Sequence, residues 1–141
     1  MIQRIQTVYM AVSAALMGVF LFSPLFAINN TNPFKASDCK LGYSFVVAFV
    51  ILAVVAIFMY RNRRAQIILG WLMVACNLFV IFFYSVHYHF LLKGAPPAHP
   101  GDYIAPRPGA LIPILTFVFT LLAIANIRKD EKLVRESDRL R

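Results

Sequence analysis

A chain of 141 residues has room for one domain. Its hydrophobic fraction of 60% exceeds the roughly 45–50% of soluble domains, and a globule this size with so few charges would leave apolar surface uncovered. In a soluble protein the formal net charge of +8 would suggest a nucleic-acid partner, but here the basic residues flank apolar runs, so membrane topology is the simpler account and no nucleic acid is expected.

The arrangement of the charges is decisive. All 14 Lys and Arg and all 6 Asp and Glu fall outside four intervals, 5–34, 41–60, 65–92 and 108–127. A bilayer core about 30 Å thick needs about 20 apolar residues of helix, and each interval is long enough. Membrane strands would alternate apolar and polar residues, whereas Phe45 to Tyr60 is apolar at every position, so helices are expected. The first interval reads as a retained helix rather than a signal peptide. Its only preceding charge is Arg4, its apolar run is long, and Leu25 occupies the third position before a cut after Ala27.

The first helix is expected over about 5–28, with Pro24 kinking or fraying its far end. Ala11/Ala15 and Ala14/Gly18 are small pairs that allow close helix approach. The loop Asn29–Lys40 is polar, and its Asn29-Asn30-Thr31 is a weak match to a glycosylation pattern.

The second helix, about 41–60, has no polar group in its middle and is expected to face lipid widely, with Tyr43 and Tyr60 near the two interfaces. A tight link, Arg61–Gln66, makes a hairpin with the third helix, about 66–91. There Gly70, Asn77 and Tyr84 recur every seven residues, with Val74, Ile81 and Tyr88 four after each, the spacing of one packed helix face. Asn77 is expected to point inward and hydrogen-bond across the bundle, because an unpartnered amide in hydrocarbon is costly. Trp71 suits an interface anchor.

The segment Leu92–Pro108 holds five prolines and is expected to be an extended external loop able to fold over the bundle mouth. The fourth helix follows over about 108–127, with Pro113 in its first turns and Thr116, Thr120 and Ala123 in a weakly polar stripe. The tail 128–141 lacks Pro and Gly and has Glu131 and Arg135 four apart, so the helix should continue into water. Leu133, Val134 and Leu140 give that extension a sparse apolar strip.

Ten basic residues (Arg4, Arg61, Arg63, Arg64 and six in the tail) lie at one set of helix ends, against Lys35, Lys40, Lys93 and Arg107 at the other. The richer side should be cytoplasmic. The expected fold class is therefore an all-α membrane protein. It is a single domain over 1–141, a four-transmembrane-helix antiparallel bundle with both termini inside and a cytoplasmic helical C-terminal extension.

Chemistry is sparse. Cys39 and Cys76 should lie at different depths, and no C-x-x-C is present. His87 shares a helix face with Tyr84, but a metal or haem needs further ligands, and no helix supplies them, so an aromatic anchor is the simpler role. His89 points elsewhere, and His99 lies in the proline-rich loop with Lys93, Asp102 and Arg107. There is no serine–histidine–acid set and no mid-membrane ionisable residue of the kind carriers use, so no enzymatic activity, metal or cofactor is expected.

The opening MIQRIQTVY and the closing ANIRKDEKLVRESDRLR resemble a family of small four-helix inner-membrane proteins from Bacteroidota, a domain of unknown function. The resemblance implies a bacterial inner membrane and no reaction. Both stretches lie on the expected cytoplasmic face. This makes Arg4, Asp130, Glu131, Lys132, Leu133 and Arg135 a candidate partner surface.

The expected function is a non-catalytic subunit or scaffold that binds other membrane proteins or a second copy within the lipid bilayer. The alternative is a small-molecule or lipid-binding or transport protein with a pocket near Asn77, Tyr84 and His87. The candidate packing or pocket residues are Gly70, Asn77, Tyr84, His87, Tyr88, Thr116 and Thr120. A cavity would favour the alternative and a filled core the scaffold.

Overall fold

The computed structural model describes residues 2–28, 32–59, 62–94 and 104–139. Expectations at Asn29–Thr31, Tyr60, Arg61, His99, Asp102 and Leu140 lie outside the described residues, as do the side chains of Arg4, Lys93 and Arg135. Among the described residues four helices are long and apolar enough to cross a membrane. They are α1 (Ile2–Phe22), α2 (Lys40–Phe58), α3 (Arg63–Gly94) and α4 (Ile112–Arg139). Each packs against its neighbours in the chain, and α4 closes back on α1.

The largest boundary difference from the sequence expectation is at the first helix. The first helix ends at Phe22, not near Ile28. The Ser23 amide and hydroxyl both donate to Val19 O, at 3.1 and 3.0 Å, closing the last turn. Pro24 has no N–H to continue the ladder, and its ring disfavours helical backbone at the residue before it. The chain then turns into a strand.

Beside the four helices the chain forms a small sheet that the sequence did not lead us to expect. Strands β1 (Pro24–Ile28), β2 (Asn32–Lys35) and β3 (Ile104–Pro106) form it in the order β2-β1-β3, both pairings antiparallel. Phe26 sits opposite Phe34 on one side and Pro106 on the other. The prolines explain why this sheet is tolerated: Pro24 opens the central strand, while Pro33 and Pro106 lie on edge strands, where a missing donor costs no ladder bond. The proline-rich segment is therefore extended in part, with Ile104–Pro106 paired to β1 and the Arg107 amide bonded to Leu25 O at 2.9 Å.

Asn62 caps α3 by accepting from the Ala65 amide at 3.2 Å, which sets the helix start at Arg63. Helix α4 runs on to Arg139, well past its apolar part.

The core follows the helical period. Met17, Phe20, Val46, Phe49, Met73 and Val80 are wholly buried toward the sheet, and Met10, Ala56, Ala123 and Ile127 form a second cluster toward the termini. The outward faces stay apolar: Ile51, Val54, Val55 and Phe58 of α2 are exposed. Water penalises such a surface and hydrocarbon does not. Ala11 and Ala15 also face outward, and a Cβ on Gly18 would touch nothing within 4 Å, so these small residues make no tight helix contact within the chain.

Candidate functional site

At the sheet end the helices do not close completely. A cavity of about 260 Å³ lies between α3 and the start of α4. Phe20 and the strand residues Leu25 and Phe26 form its back wall, and Val80, Ile81 and Tyr84 form its floor and one side. Ser85, Pro106, Ala110 and Ile114 line it and are also exposed on the outer surface, so it opens sideways.

Tyr84 is the best-held residue of this wall. Its hydroxyl donates to Ala36 O at 2.8 Å, and its ring stands edge-on to Phe20 and Phe83, each at 5.5 Å. The ring lies directly on Gly42, where a Cβ would collide with its hydroxyl and ring carbons. Tyr88 lines the cavity as well and packs on Phe26 at 5.5 Å. Gly109, in the turn Pro108–Leu111 that leads into α4, makes the roof possible: a Cβ there would strike the main-chain oxygen of Pro24, so only glycine lets this turn approach β1 so closely.

The residues singled out in the sequence are not all brought together. Gly70 abuts Ile124 of α4, far toward the termini, where an added Cβ would lie 2.8 Å from Ile124 Cγ1. His87 does not line the cavity; its ring lies 5.1 Å from Phe34 and stacks with Phe83 at 6.3 Å. Thr116 and Thr120 are buried, and each donates to a carbonyl of its own helix, Ile112 O at 2.9 Å and Thr116 O at 2.8 Å.

Asn77 is fully buried, but the expected bond across the bundle is not formed: among the described residues neither Nδ2 nor Oδ1 has a hydrogen-bond partner. The cavity therefore has Tyr84 and Tyr88 from the expected set, while Asn77 lies one turn deeper than Val80 and Ile81. The sequence reading missed Phe20, Leu25, Phe26 and Pro106, because it carried the first helix through Pro24. That proline, with Pro33 and Pro106, was the available signal.

The other end, which holds both termini, is tied by polar contacts. Gln6 donates to Asn126 O at 3.2 Å and Gln66 to Ala56 O at 2.9 Å. Arg63 Nη1 lies 3.3 Å from Asp130 Oδ2 and donates to the main-chain oxygen of Asp130 at 3.2 Å. The carboxylate contact is an ion pair by distance, while the aligned hydrogen bond goes to the backbone. Arg128 stacks over Trp71 at 5.3 Å, a second tie between α3 and α4.

Of the candidate partner surface, Asp130 is thus turned inward at 8% exposed, Glu131 is half-buried, and Lys132 and Leu133 are exposed. Lys132 pairs with Glu136 at 3.9 Å along the helix. Among the described residues no group of three or more His, Cys, Asp or Glu is placed to hold a metal, and Cys39 and Cys76 are both free thiols.

A family model described as a domain of unknown function, DUF4293, matches residues 2–140. The chain belongs to this family. No curated protein and no solved structure matches it. With four apolar spans, this DUF4293 chain is a multi-pass membrane protein.

Proposed function

We propose that the chain is a non-catalytic binding protein of the bacterial inner membrane that holds the apolar chain of a lipid in the cavity at its sheet end. The observation that carries this is the sideways opening. Ile114 is 52% exposed at the rim, and it and Ser85 belong to apolar spans. The molecules that meet that surface in a bilayer are lipid chains. The wall is mostly apolar and aromatic, with the hydroxyls of Tyr84, Ser85 and Tyr88 as its few polar groups, which suits a hydrocarbon tail.

Orientation follows from charge. Arg63, Arg64, Arg128, Lys129 and Lys132 lie at the termini end, and Lys35, Lys40 and Arg107 at the sheet end. The basic excess supports a cytoplasmic termini end, with the cavity in the outer leaflet. The experiment is photocrosslinking with a diazirine-bearing fatty acid incorporated into membrane lipid. Adducts should map to the peptides carrying Tyr84, Tyr88 and Ile114, and Ala110→Trp, which fills the mouth, should reduce them several-fold. Adducts spread evenly over the outward faces of α1 and α2 would overturn the reading.

A second reading, a scaffold for another membrane protein, draws on one specific feature. Leu133 and Val134 are 45% and 42% exposed on a helical extension anchored by Asp130 and Arg63. Deleting 131–141 keeps that anchor and should leave insertion intact while losing co-purifying proteins. An unchanged set of co-purifying proteins would remove this reading.

A further inference from the structure

Four buried polar side chains lie at about one level along the helices. Arg63 with Asp130 and Gly70 with Ile124 show α3 and α4 running antiparallel, so seven residues on from Gly70 brings Asn77 level with Thr116–Thr120. Gln6 with Asn126 and Tyr9 with Phe119 show the same for α1 and α4, which places Ser13 at that level too. Ser13, Asn77 and Thr116 are 0% exposed and Thr120 1%.

The hydrogen-bonding capacities of this layer do not balance. Ser13 donates to Met10 O at 2.8 Å, Thr116 to Ile112 O at 2.9 Å and Thr120 to Thr116 O at 2.8 Å. Each hydroxyl proton is committed to its own helix, so each hydroxyl oxygen offers only lone pairs. Asn77 Nδ2 has two protons and Oδ1 two lone pairs, none of them engaged among the described residues. The three hydroxyls have acceptors for Nδ2 but no donor for Oδ1. A small group that both donates and accepts would complement both atoms. The neighbours on these faces are deformable methionines: Met73 lies one turn from Asn77, and Met10 and Met17 lie one turn on either side of Ser13.

We propose that this layer is an internal hydration site. Water donates to Asn77 Oδ1, accepts from Nδ2, and links α3 to the hydroxyls of α1 and α4. The site is separate from the lipid cavity, beneath its floor, and stands or falls independently of it.

X-ray hydroxyl-radical footprinting of the full chain in vesicles tests this, because radicals form from bound water and oxidise side chains beside it. Met73 and Met17, both 0% exposed, should be converted to the sulfoxide at rates comparable to the exposed Met59. Asn77→Leu should lower oxidation of Met73 and Met17 at least several-fold and leave Met59 unchanged. Asn77→Ser, which keeps a polar group and enlarges the space, should retain it and guards against a fold change in the leucine variant. Met73 and Met17 unreactive in the wild-type chain, or equally reactive in wild type and Asn77→Leu, would overturn the proposal.

Discussion

The Tyr84 hydroxyl donates to the main-chain oxygen of Ala36 at 2.8 Å, joining the middle of α3 to the turn that follows β2. Ala36 is itself fully buried, so its carbonyl has no water to fall back on. Tyr84→Phe should therefore cost about 1–2 kcal/mol, a lost hydrogen bond plus a buried unsatisfied acceptor. Unfolding in mixed detergent micelles measures it. A Phe variant as stable as the wild type would show that the tie contributes nothing.

Gly42 lies under the same ring. A Cβ there meets the Tyr84 ring carbon Cζ at 2.6 Å, a body that is held on several sides and cannot swing away. Gly42→Ala should cost roughly 1–3 kcal/mol, the usual range for overpacking. Combining it with Tyr84→Leu should recover part of the loss, and strict additivity of the two would show that they do not touch.

Gly109→Ala brings the new Cβ against main chain, at Pro24, rather than against a flexible side-chain end. We expect the turn leading into α4 to move off β1 and the cavity roof to loosen, with a cost of about 2–3 kcal/mol. Crosslinking of the lipid probe should then spread away from Tyr84 and Tyr88. By contrast, Gly70→Ala meets only the end of Ile124 and should cost less than Gly109→Ala.

Asp130→Ala removes the carboxylate beside Arg63 but keeps the main-chain acceptor; the Arg63 side chain is 26% exposed against 11% for Asp130. A pair of this intermediate burial should be worth about 1–2 kcal/mol, between the surface and buried cases. The effect should be local. Amide exchange along 131–139 should accelerate while that of the apolar part of α4 is unchanged. No change in exchange would mean that the extension holds its place without the pair.

Topology has a direct check. In a background lacking Cys39 and Cys76, Ser137→Cys should resist an impermeant thiol reagent added to intact cells, and Ala98→Cys should react. Reaction at position 137 from outside would reverse the orientation.

The four spans, their order and the helical run of α4 beyond Ile127 were legible in the residues themselves. The reason is that hydrocarbon acts on each segment locally: a stretch without charge partitions into it, and a helix satisfies its own backbone whatever lies beside it. The inward face of α3, from Gly70 through Val74, Asn77 and Tyr84, was also a matter of period alone. What the side chains meet was not. Arg63 pairs with Asp130 across 67 residues, Tyr84 reaches Ala36 across 48, and β1 takes its second partner strand from the far side of two helices. Each depends on how far one helix slides against another, and the apolar runs of a membrane helix leave that register open. The same register leaves Asn77 without a partner among the described residues and opens the cavity above it, because both are set by the heights at which α1, α3 and α4 come together.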